Sequence, residues 1–268
     1  MTVTYDFSGK AALVTGAASG VGRATAEAFA AAGAAVALAD INRQAGERFA
    51  EELDGAGHDV AFFEIDVASE EGVRRLVDQT VERFGGLDIA HNNAGIEAVT
   101  VPVAEAPSED WRRVVDVNVS SVFYCLKAQI PRMLERGGGA IVNTASISGL
   151  IGGYRLAAYT ASKHAVIGMT KGAAADYAKH GVRVNCLCPG AIDTPFLAEL
   201  PRPMIDRLLF GTPMGRLGQA SEMARAVLWL CSEDASYVTG HALAVDGGTS
   251  VVSAGTRFDD LQLSEAQA

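Results

Sequence analysis

The stretch Ala11-Ala12-Leu13-Val14-Thr15-Gly16-Ala17-Ala18-Ser19-Gly20-Val21-Gly22 places a short apolar run directly before a glycine-rich turn with TGxxxGxG spacing. Residues 24–32 are rich in alanine and end at Gly33, so the stretch predicts a strand, a tight loop and a helix. Glycines in such a loop allow close backbone approach, and the helix N-terminus offers free N–H groups to a pyrophosphate. The loop is a candidate phosphate site, although any tight strand-to-helix connection can use glycine.

The same alternation of strand and helix patterns continues along the chain. Predicted strands cover residues 36–39, 60–65, 87–91, 140–144 and 182–188, and predicted helices cover residues 70–84, 108–135 and 157–180. Strands that alternate with helices of this length form βαβ units, whose right-handed crossovers produce a parallel sheet with helices on both faces. The sequence therefore predicts a doubly wound α/β fold.

The length of the chain, 268 residues, fits one α/β domain better than two small ones. No linker-like change of composition divides it, so we expect a single domain over residues 1–268. Five prolines are spread through residues 189–218, which predicts a mobile substrate lid at about this position. Residues from about 254 to 268 are polar and predict a loosely held tail.

The charge and cysteine content argue against several classes of protein. Lys and Arg total 22 against 32 Asp and Glu, a net charge of −10 that would repel a nucleic-acid backbone. No apolar run approaches the ~18 residues of a membrane span, and residues 1–10 show no basic segment followed by an apolar run, so we expect a cytoplasmic protein without a membrane partner. The close pair Cys186 and Cys188 has no second pair to complete a zinc site, so no metal is expected.

Asp40 ends the second predicted strand, 18 residues after Gly22. This is near the ~20-residue offset at which a carboxylate meets the ribose hydroxyls of a dinucleotide. The charge of Asp40 would repel a 2′-phosphate, and Arg43 is the one cation nearby, so the position favours NAD over NADP. The alternative role of Asp40 is to cap the N-terminus of the next helix.

The sequence Tyr159-Thr160-Ala161-Ser162-Lys163 lies within a predicted helix, where residues i and i+4 share a face. A neighbouring ammonium favours the phenolate, so Lys163 is expected to lower the pKa of Tyr159 from about 10 towards a value useful for proton transfer. The alternative is an interfacial tyrosine beside a solvated lysine.

Together these motifs resemble the short-chain dehydrogenase/reductase family, in its group of single-domain members of about 250 residues. The match runs from about residue 10 to residue 250 and takes in residues 15–22, Asp66-Val67, residues 92–95, Asn118, Ser146, residues 159–163, Val184-Asn185, Pro189-Gly190 and Thr194. The resemblance implies a Rossmann-type sheet of about seven parallel strands and an NAD(P) cofactor. It also implies a homotetramer built partly through the helices at about 108–135 and 157–180.

The resemblance further implies roles for individual residues. Tyr159 would be the catalytic acid/base, Ser146 would hold the substrate oxygen, Lys163 would lower the tyrosine pKa and bind the nicotinamide ribose, and Asn118 would support a water that links Lys163 to solvent. Ser146 and Tyr159 are thus the implied substrate contacts. The implied cofactor contacts are Gly16, Ser19, Gly20, Val21, Gly22, Asp40, Ile41, Asp66, Val67, Asn93, Ala94, Gly95, Tyr159, Lys163, Pro189, Gly190, Ile192 and Thr194.

Some of these positions have alternatives. Asn118 could be a buried amide that bonds the backbone, and the strand-end residues could serve only in turns. His91 could be a catalytic or pH-sensitive group, but a satisfied core histidine is favoured. Cys186 and Cys188 face the same side of one strand, where packing is favoured over redox chemistry.

The implied reaction is reversible hydride transfer between a secondary alcohol and nicotinamide, and NAD pools favour alcohol oxidation. The alternatives are an NADPH-dependent 3-oxoacyl or other ketone reductase, which Asp40 opposes, and a non-catalytic NAD-binding sensor or scaffold. The substrate stays open among a cyclic alcohol, a sugar, a steroid and an acyl thioester. Tyr154 and the apolar lid favour a neutral or cyclic alcohol, whereas Arg155 could anchor a carboxylate. The apolar lid residues Phe196, Leu197, Met204, Leu208, Leu209 and Phe210 could line a pocket or form an ordinary helix packed on the core.

Overall fold

Seven parallel strands form the central sheet of the computed structural model, which describes residues 4–194, 197 and 202–252. These strands are β1 Ala11–Thr15, β2 Ala35–Asp40, β3 Val60–Glu64, β4 Ile89–Asn92, β5 Gly139–Thr144, β6 Val182–Pro189 and β9 Ala242–Val245. The two-residue strands β7 Ile192–Asp193 and β8 Gly218–Gln219 pair separately. The sheet order is β3-β2-β1-β4-β5-β6-β9, which confirms the predicted doubly wound α/β fold.

Eight α-helices are found within the described residues. They are α1 Gly20–Ala31, α2 Arg43–Gly55, α3 Glu70–Phe84, α4 Ser108–Val115, α5 Ser121–Glu135, α6 Ala157–Tyr177, α7 Arg202–Phe210 and α8 Ala220–Cys231. The predicted helix at 70–84 coincides with α3. The helix predicted at 108–135 is interrupted by a π-helical turn, Asp116–Ser120, and the one predicted at 157–180 ends in a 3-10 turn, Ala178–His180.

Helices cover both faces of the sheet and bury two separate apolar layers. Residues of α1, α2 and α8, among them Phe29, Phe49 and Leu230, pack on one face, and residues of α3, α5 and α6, among them Leu76 and Met133, pack on the other. All five residues of β1 are buried, because a parallel strand between two helical layers has no solvent face. This explains why its sequence is a continuous run of apolar residues with Thr15 at the end.

A buried polar network holds the strands together below the carboxyl edge of the sheet. Asn92 donates to the side chains of Gln129 and Asn143 at 3.0 and 2.9 Å, and Gln129 donates back to Asn92 at 2.7 Å. Asn143 in turn donates to Thr170 at 3.0 Å. Because each amide finds a partner, the network joins β4, β5, α5 and α6 without an unpaired group among them.

The strand order reverses between β1 and β4, so a crevice opens there at the carboxyl ends of the strands. The segment predicted as a lid holds β7, α7 and β8 in its described part. None of the side chains of α7 is buried, so this helix is not packed into the core. Pro195, Phe196, residues 198–201 and the predicted tail at 254–268 lie outside the described residues. Within the described ranges, no helix is long and apolar enough to cross a membrane.

Candidate active site

The glycine-rich turn between β1 and α1 presents an uncapped helix N-terminus to the crevice. Ser19 is the N-cap residue of α1, but its side chain makes no capping hydrogen bond. The N–H groups of the first turn are therefore available to donate hydrogen bonds to a ligand. Gly16 and Gly20 have positive φ angles of 66° and 52°. A Cβ on Gly22 would lie 2.0 Å from the Gly16 carbonyl oxygen, so only glycine allows this turn to close. Such a turn fits the pyrophosphate of a dinucleotide.

Asp40 ties this turn to the end of β2. Its carboxylate accepts hydrogen bonds from the Ala18 N–H and the Asn42 N–H, each at 2.9 Å. The alternative that Asp40 caps α2 is wrong, because Asn42 is the N-cap and accepts from the Ala45 N–H at 3.1 Å. Ile41 beside it is 68% exposed, as a residue that covers a ligand from outside would be.

The ends of β3 and β4 complete the nucleotide side of the crevice. Asp66 is exposed, and its carboxylate accepts a hydrogen bond from the Ala68 N–H at 3.0 Å, as expected of a strand-end residue that serves in a turn. The Val67 side chain lies in the core. Asn93 and Ala94 both donate their backbone N–H groups to the Thr15 hydroxyl, at 3.0 and 3.1 Å. Thr15, which is not among the predicted cofactor contacts, therefore fixes the glycine-rich turn against the end of β4.

Ser146 and Tyr159 meet at the carboxyl end of β5. Ser146 begins a 3-10 turn, and its hydroxyl oxygen accepts from the Ser148 N–H at 3.1 Å, which leaves its proton free to donate. Tyr159 enters from the first turn of α6 and lies beside the Ser146 side chain, which acts to lower the pKa of the phenol. A Cβ on Gly149 would lie 2.7 Å from the Lys163 carbonyl oxygen, so this turn packs directly on α6.

Lys163 lies one helical turn beyond Tyr159 and is 4% exposed. Its ammonium donates to the Thr144 carbonyl oxygen at 3.0 Å and lies 5.5 Å from the centre of the Tyr159 ring. Burial lowers the pKa of Lys163 to about 8. The alternative of a solvated lysine is therefore wrong for this motif.

The expected fall in the pKa of Tyr159 is not found in the protein chain alone. Burial raises the pKa of Tyr159 to about 12, the Ser146 side chain opposes this rise, and the charge of Glu97 adds to it. The expectation was wrong because it weighed the charge of Lys163 and not the burial of the whole group. Tyr159 is consequently protonated at neutral pH and can donate a proton.

Asn118 lies in the π-helical turn between α4 and α5 and is 1% exposed. Its side chain accepts from the Ile96 N–H and donates to the Ile96 carbonyl, both at 2.8 Å, and donates to Ser162 at 3.2 Å. The structure thus shows the backbone-bonding role that was the alternative for Asn118. Its role in supporting a water stays a prediction.

The remaining predicted contacts follow β6. Gly190 approaches Asp246 so closely that a Cβ on it would lie 2.8 Å from the Asp246 Cα. Ile192 is 7% exposed and pairs with Gly218. Thr194 faces the turn after β1, since a Cβ on Gly20 would lie 3.5 Å from its methyl group. Predicted site residues from the ends of six strands, β1 to β6, therefore share one edge of the sheet, while Gly95 lies beside Asn118 and Lys163.

His91 is fully buried in β4, as a core histidine, but only one of its ring nitrogens is satisfied. Nε2 is 2.9 Å from the Thr144 hydroxyl, and Nδ1 has no hydrogen-bond partner among the residues that the structure describes. Burial lowers the pKa of His91 to about 3. Cys186 and Cys188 are buried with their Sγ atoms 3.9 Å apart, consistent with packing.

We expect His91 to make the protein sensitive to acid. A histidine in the unfolded chain has a pKa near 6.5, whereas His91 in the folded protein has a pKa of about 3. As the pH falls below 6.5, the unfolded state binds a proton that the folded state does not bind, so the free energy of unfolding decreases. Between pH 7.5 and 5.5 the free energy of unfolding of the wild type should fall by about 1.4 kcal/mol relative to His91→Leu. Urea denaturation at both pH values measures this. His180→Leu, at an exposed position, is the control, and its free energy of unfolding should fall with pH as that of the wild type does. An equal fall in the wild type and in His91→Leu would contradict the assignment.

Comparison with known proteins gives consistent matches over nearly the whole chain. Residues 16–250 match the family model described as enoyl-(acyl carrier protein) reductase. The chain is 47% identical to a 2,5-dichloro-2,5-cyclohexadiene-1,4-diol dehydrogenase of Sphingobium indicum, over 92% of this chain and 99% of that protein. It is 44% identical to a cyclohexanol dehydrogenase of an Acinetobacter species, over 91% and 96%.

A solved structure agrees with these matches. The solved structure of 7α-hydroxysteroid dehydrogenase complexed with NADH and 7-oxo glycochenodeoxycholic acid superposes with a TM-score of 0.86 at 35% identity, covering 91% of this chain and 95% of that one. The parallel sheet, the glycine-rich turn and the joined Ser146, Tyr159 and Lys163 agree with this likeness. The chain belongs to the short-chain dehydrogenase/reductase family.

Proposed function

We propose that this protein is an NAD-dependent oxidoreductase that transfers a hydride between a secondary alcohol and nicotinamide. The observation that carries the proposal is the meeting of Ser146, Tyr159 and Lys163 at the carboxyl end of β5, next to an uncapped helix N-terminus. A site that binds a dinucleotide beside a proton-transferring tyrosine has the parts that alcohol dehydrogenation requires. A sensor or scaffold would need only the nucleotide half.

The proposed roles follow from the hydrogen bonds of the site. Ser146 accepts from the Ser148 N–H, so its own proton points to the substrate oxygen or to Tyr159. Tyr159 takes the hydroxyl proton when the alcohol is oxidised and returns it when the ketone is reduced. Lys163, held by the Thr144 carbonyl, presents its ammonium beside the phenol and to the ribose. Bound NAD⁺ supplies the acceptor for the hydride at C4 of its nicotinamide ring.

The choice of NAD over NADP rests on Asp40 and its neighbours. The Asp40 carboxylate faces the turn that would hold the adenosine half, where it can accept from ribose hydroxyls and would repel a phosphate. Arg43, the cation near it in sequence, is held at 2.8 Å by Glu47 and at 3.9 Å by Glu64. Because two carboxylates already hold this guanidinium, it is poorly placed to compensate a 2′-phosphate.

The substrate proposed is a cyclic secondary alcohol. Two relatives that share more than 40% of their residues with this chain are named as dehydrogenases of six-membered cyclic alcohols. The alternative is a ketone reductase, which a protonated Tyr159 and a 38% identical relative named 3-oxoacyl-[acyl-carrier-protein] reductase also support.

The assembly proposed is a homotetramer in the cytoplasm. The helices α4 and α5, which the family resemblance places at its interfaces, expose Trp111, Phe123 and Leu134 at 47, 51 and 38%. Apolar side chains exposed on neighbouring helices support contact with another subunit.

A spectrophotometric screen tests the function. The purified protein is mixed with NAD⁺ or NADP⁺ and a panel of secondary alcohols, and reduction is followed by absorbance at about 340 nm. We expect cyclohexanol or a substituted cyclohexanol to reduce NAD⁺. Tight NADH binding without turnover of any alcohol or ketone would instead favour a sensor.

A further inference from the structure

The segment Ile96–Val99, which follows β4, is held rigidly beside the catalytic residues. Asn118 bonds both the N–H and the carbonyl of Ile96, at 2.8 Å each. Arg113 donates to the Glu97 carbonyl at 3.2 Å, and Asp110 accepts from the Val99 N–H at 3.0 Å. Four backbone hydrogen bonds over four residues leave the segment little freedom.

The same segment packs against Tyr159. Ala98 is buried in an apolar cluster with Val114 and Ala158, and Ile96 and Tyr159 pack on this cluster. A Cβ on Gly95 would lie 3.4 Å from the Lys163 ammonium. The residues on either side of Glu97, Ile96 and Ala98, therefore belong to the same apolar cluster as Tyr159.

The Glu97 side chain is exposed and lies near enough to this group for its charge to act there. Its charge acts on both Lys163 and Tyr159, and burial raises the pKa of Glu97, which Lys163 only partly opposes. Among the described residues, none donates a hydrogen bond to its carboxylate. Asp110, on α4, shows the contrast, because Arg113 and the Val99 N–H satisfy it at 2.9 and 3.0 Å.

The charges around Glu97 select the chemistry of what it would bind. A carboxylate accepts hydrogen bonds, so it would repel a substrate carboxylate and gain nothing from a ketone or an ether at this point. The Lys163 ammonium nearby disfavours a cationic group. A neutral donor remains, and on an alcohol substrate that donor is a second hydroxyl.

We propose that Glu97 is a specificity-determining residue, whose carboxylate accepts a hydrogen bond from a second hydroxyl of a cyclic diol while Ser146 and Tyr159 bind the first. The inference rests on the proposed function, since it needs an alcohol bound at Tyr159. It narrows the substrate class from cyclic alcohols to cyclic diols.

The loop that follows Ser146 helps to hold the segment of Glu97 in place. The Arg155 carbonyl accepts from the Val101 N–H at 3.0 Å, so the segment that carries Glu97 is joined to the segment that follows Ser146. Arg155 adopts a φ of 60°, a left-handed conformation that costs energy for a residue other than glycine. Backbone in this state needs support from its surroundings, which the bond to Val101 provides.

The test compares two substrates in each of three proteins. For wild type, Glu97→Gln and Glu97→Leu, kcat/KM is measured with NAD⁺ and either cyclohexanol or the isomeric cyclohexanediols. We expect wild type to prefer at least one diol, and the ratio of the diol kcat/KM to the cyclohexanol kcat/KM to fall about 10-fold in Glu97→Gln and about 100-fold in Glu97→Leu. A merely structural defect would lower both values together and leave the ratio unchanged.

Glu105→Gln is the matched control, since it removes the same charge from an exposed turn a few residues away and should keep the wild-type ratio. NADH binding is measured in each protein. An unchanged ratio in both Glu97 variants, or a main effect on NADH affinity, would overturn the assignment of Glu97 and leave the proposed function standing. A wild-type protein that oxidises neither cyclohexanol nor a diol would overturn the proposed function itself.

Discussion

Replacing Tyr159 with phenylalanine should lower kcat for alcohol oxidation by about 10²-fold to 10⁴-fold while the protein still binds NADH. The variant removes the hydroxyl that exchanges the proton with the substrate and keeps the ring that packs on Ala98, Val114 and Ala158. Loss of turnover with retained folding separates proton transfer from packing. Steady-state rates and NADH fluorescence titration measure both quantities.

Tyr177→Phe is the control for this substitution, because it removes a hydroxyl from the same helix at its far end. It should retain the wild-type kcat. Activity of Tyr159→Phe within about 3-fold of wild type would move the acid/base role to another group.

The pH dependence of the wild type provides a second measurement of the same assignment. Oxidation needs the deprotonated phenol, and burial raises the pKa of Tyr159 to about 12 in the chain alone. The fraction of phenolate therefore increases with pH below that value, and the oxidation rate should rise between about pH 6 and pH 9. Reduction uses the protonated phenol and should stay level over this range. A flat oxidation profile, with chemistry rate-limiting, would contradict the assignment.

Replacing Asp40 with serine should lower the preference for NAD over NADP by about 100-fold. The preference is measured as the ratio of the kcat/KM value with NAD to that with NADP. The substitution removes the negative charge that would repel a 2′-phosphate, and a difference of about 3 kcal/mol in electrostatic energy has this size. It also removes hydrogen bonds to Ala18 and Asn42, so a moderate loss of activity with NAD is expected as well.

Asp59→Ser is the control for Asp40→Ser. Asp59 precedes β3 at the opposite end of the sheet, where it pairs with Arg83, so the variant lowers the net negative charge equally without touching the crevice. Its cofactor preference should match that of wild type. A wild-type protein that already prefers NADP would show that Asp40 does not control this choice.

Much of the nucleotide side of the site could be predicted because it depends on residues close together in the chain. The apolar run before Gly16, the spacing of the glycines and the place of Asp40 at a strand end are local patterns. They dictate a strand, a turn and a helix before any tertiary contact is known. The motif at Tyr159 and Lys163 is local in the same way, since four residues make one turn of a helix.

Other features depended on contacts between distant parts of the chain. Asn118 in the π-helical turn bonds Ile96, 22 residues away, and the Thr144 carbonyl that holds Lys163 of α6 comes from strand β5, 19 residues away. Neither contact has a sequence motif of its own. Glu97 was missed for this reason: a glutamate in a loop is unremarkable until its backbone is fixed beside Tyr159.

The sequence by itself determined the parallel fold, the nucleotide turn, the carboxylate at Asp40 and the pairing of Tyr159 with Lys163. The tertiary structure alone decided the direction of the Tyr159 pKa, the nitrogen of His91 that no described residue satisfies, and the position of the segment of Glu97 beside Tyr159. Helix and strand patterns are short-range, so a linear sequence carries them. Burial is the sum of contacts from many elements, and it controls the energy of a charge or a polar atom only once those elements have packed.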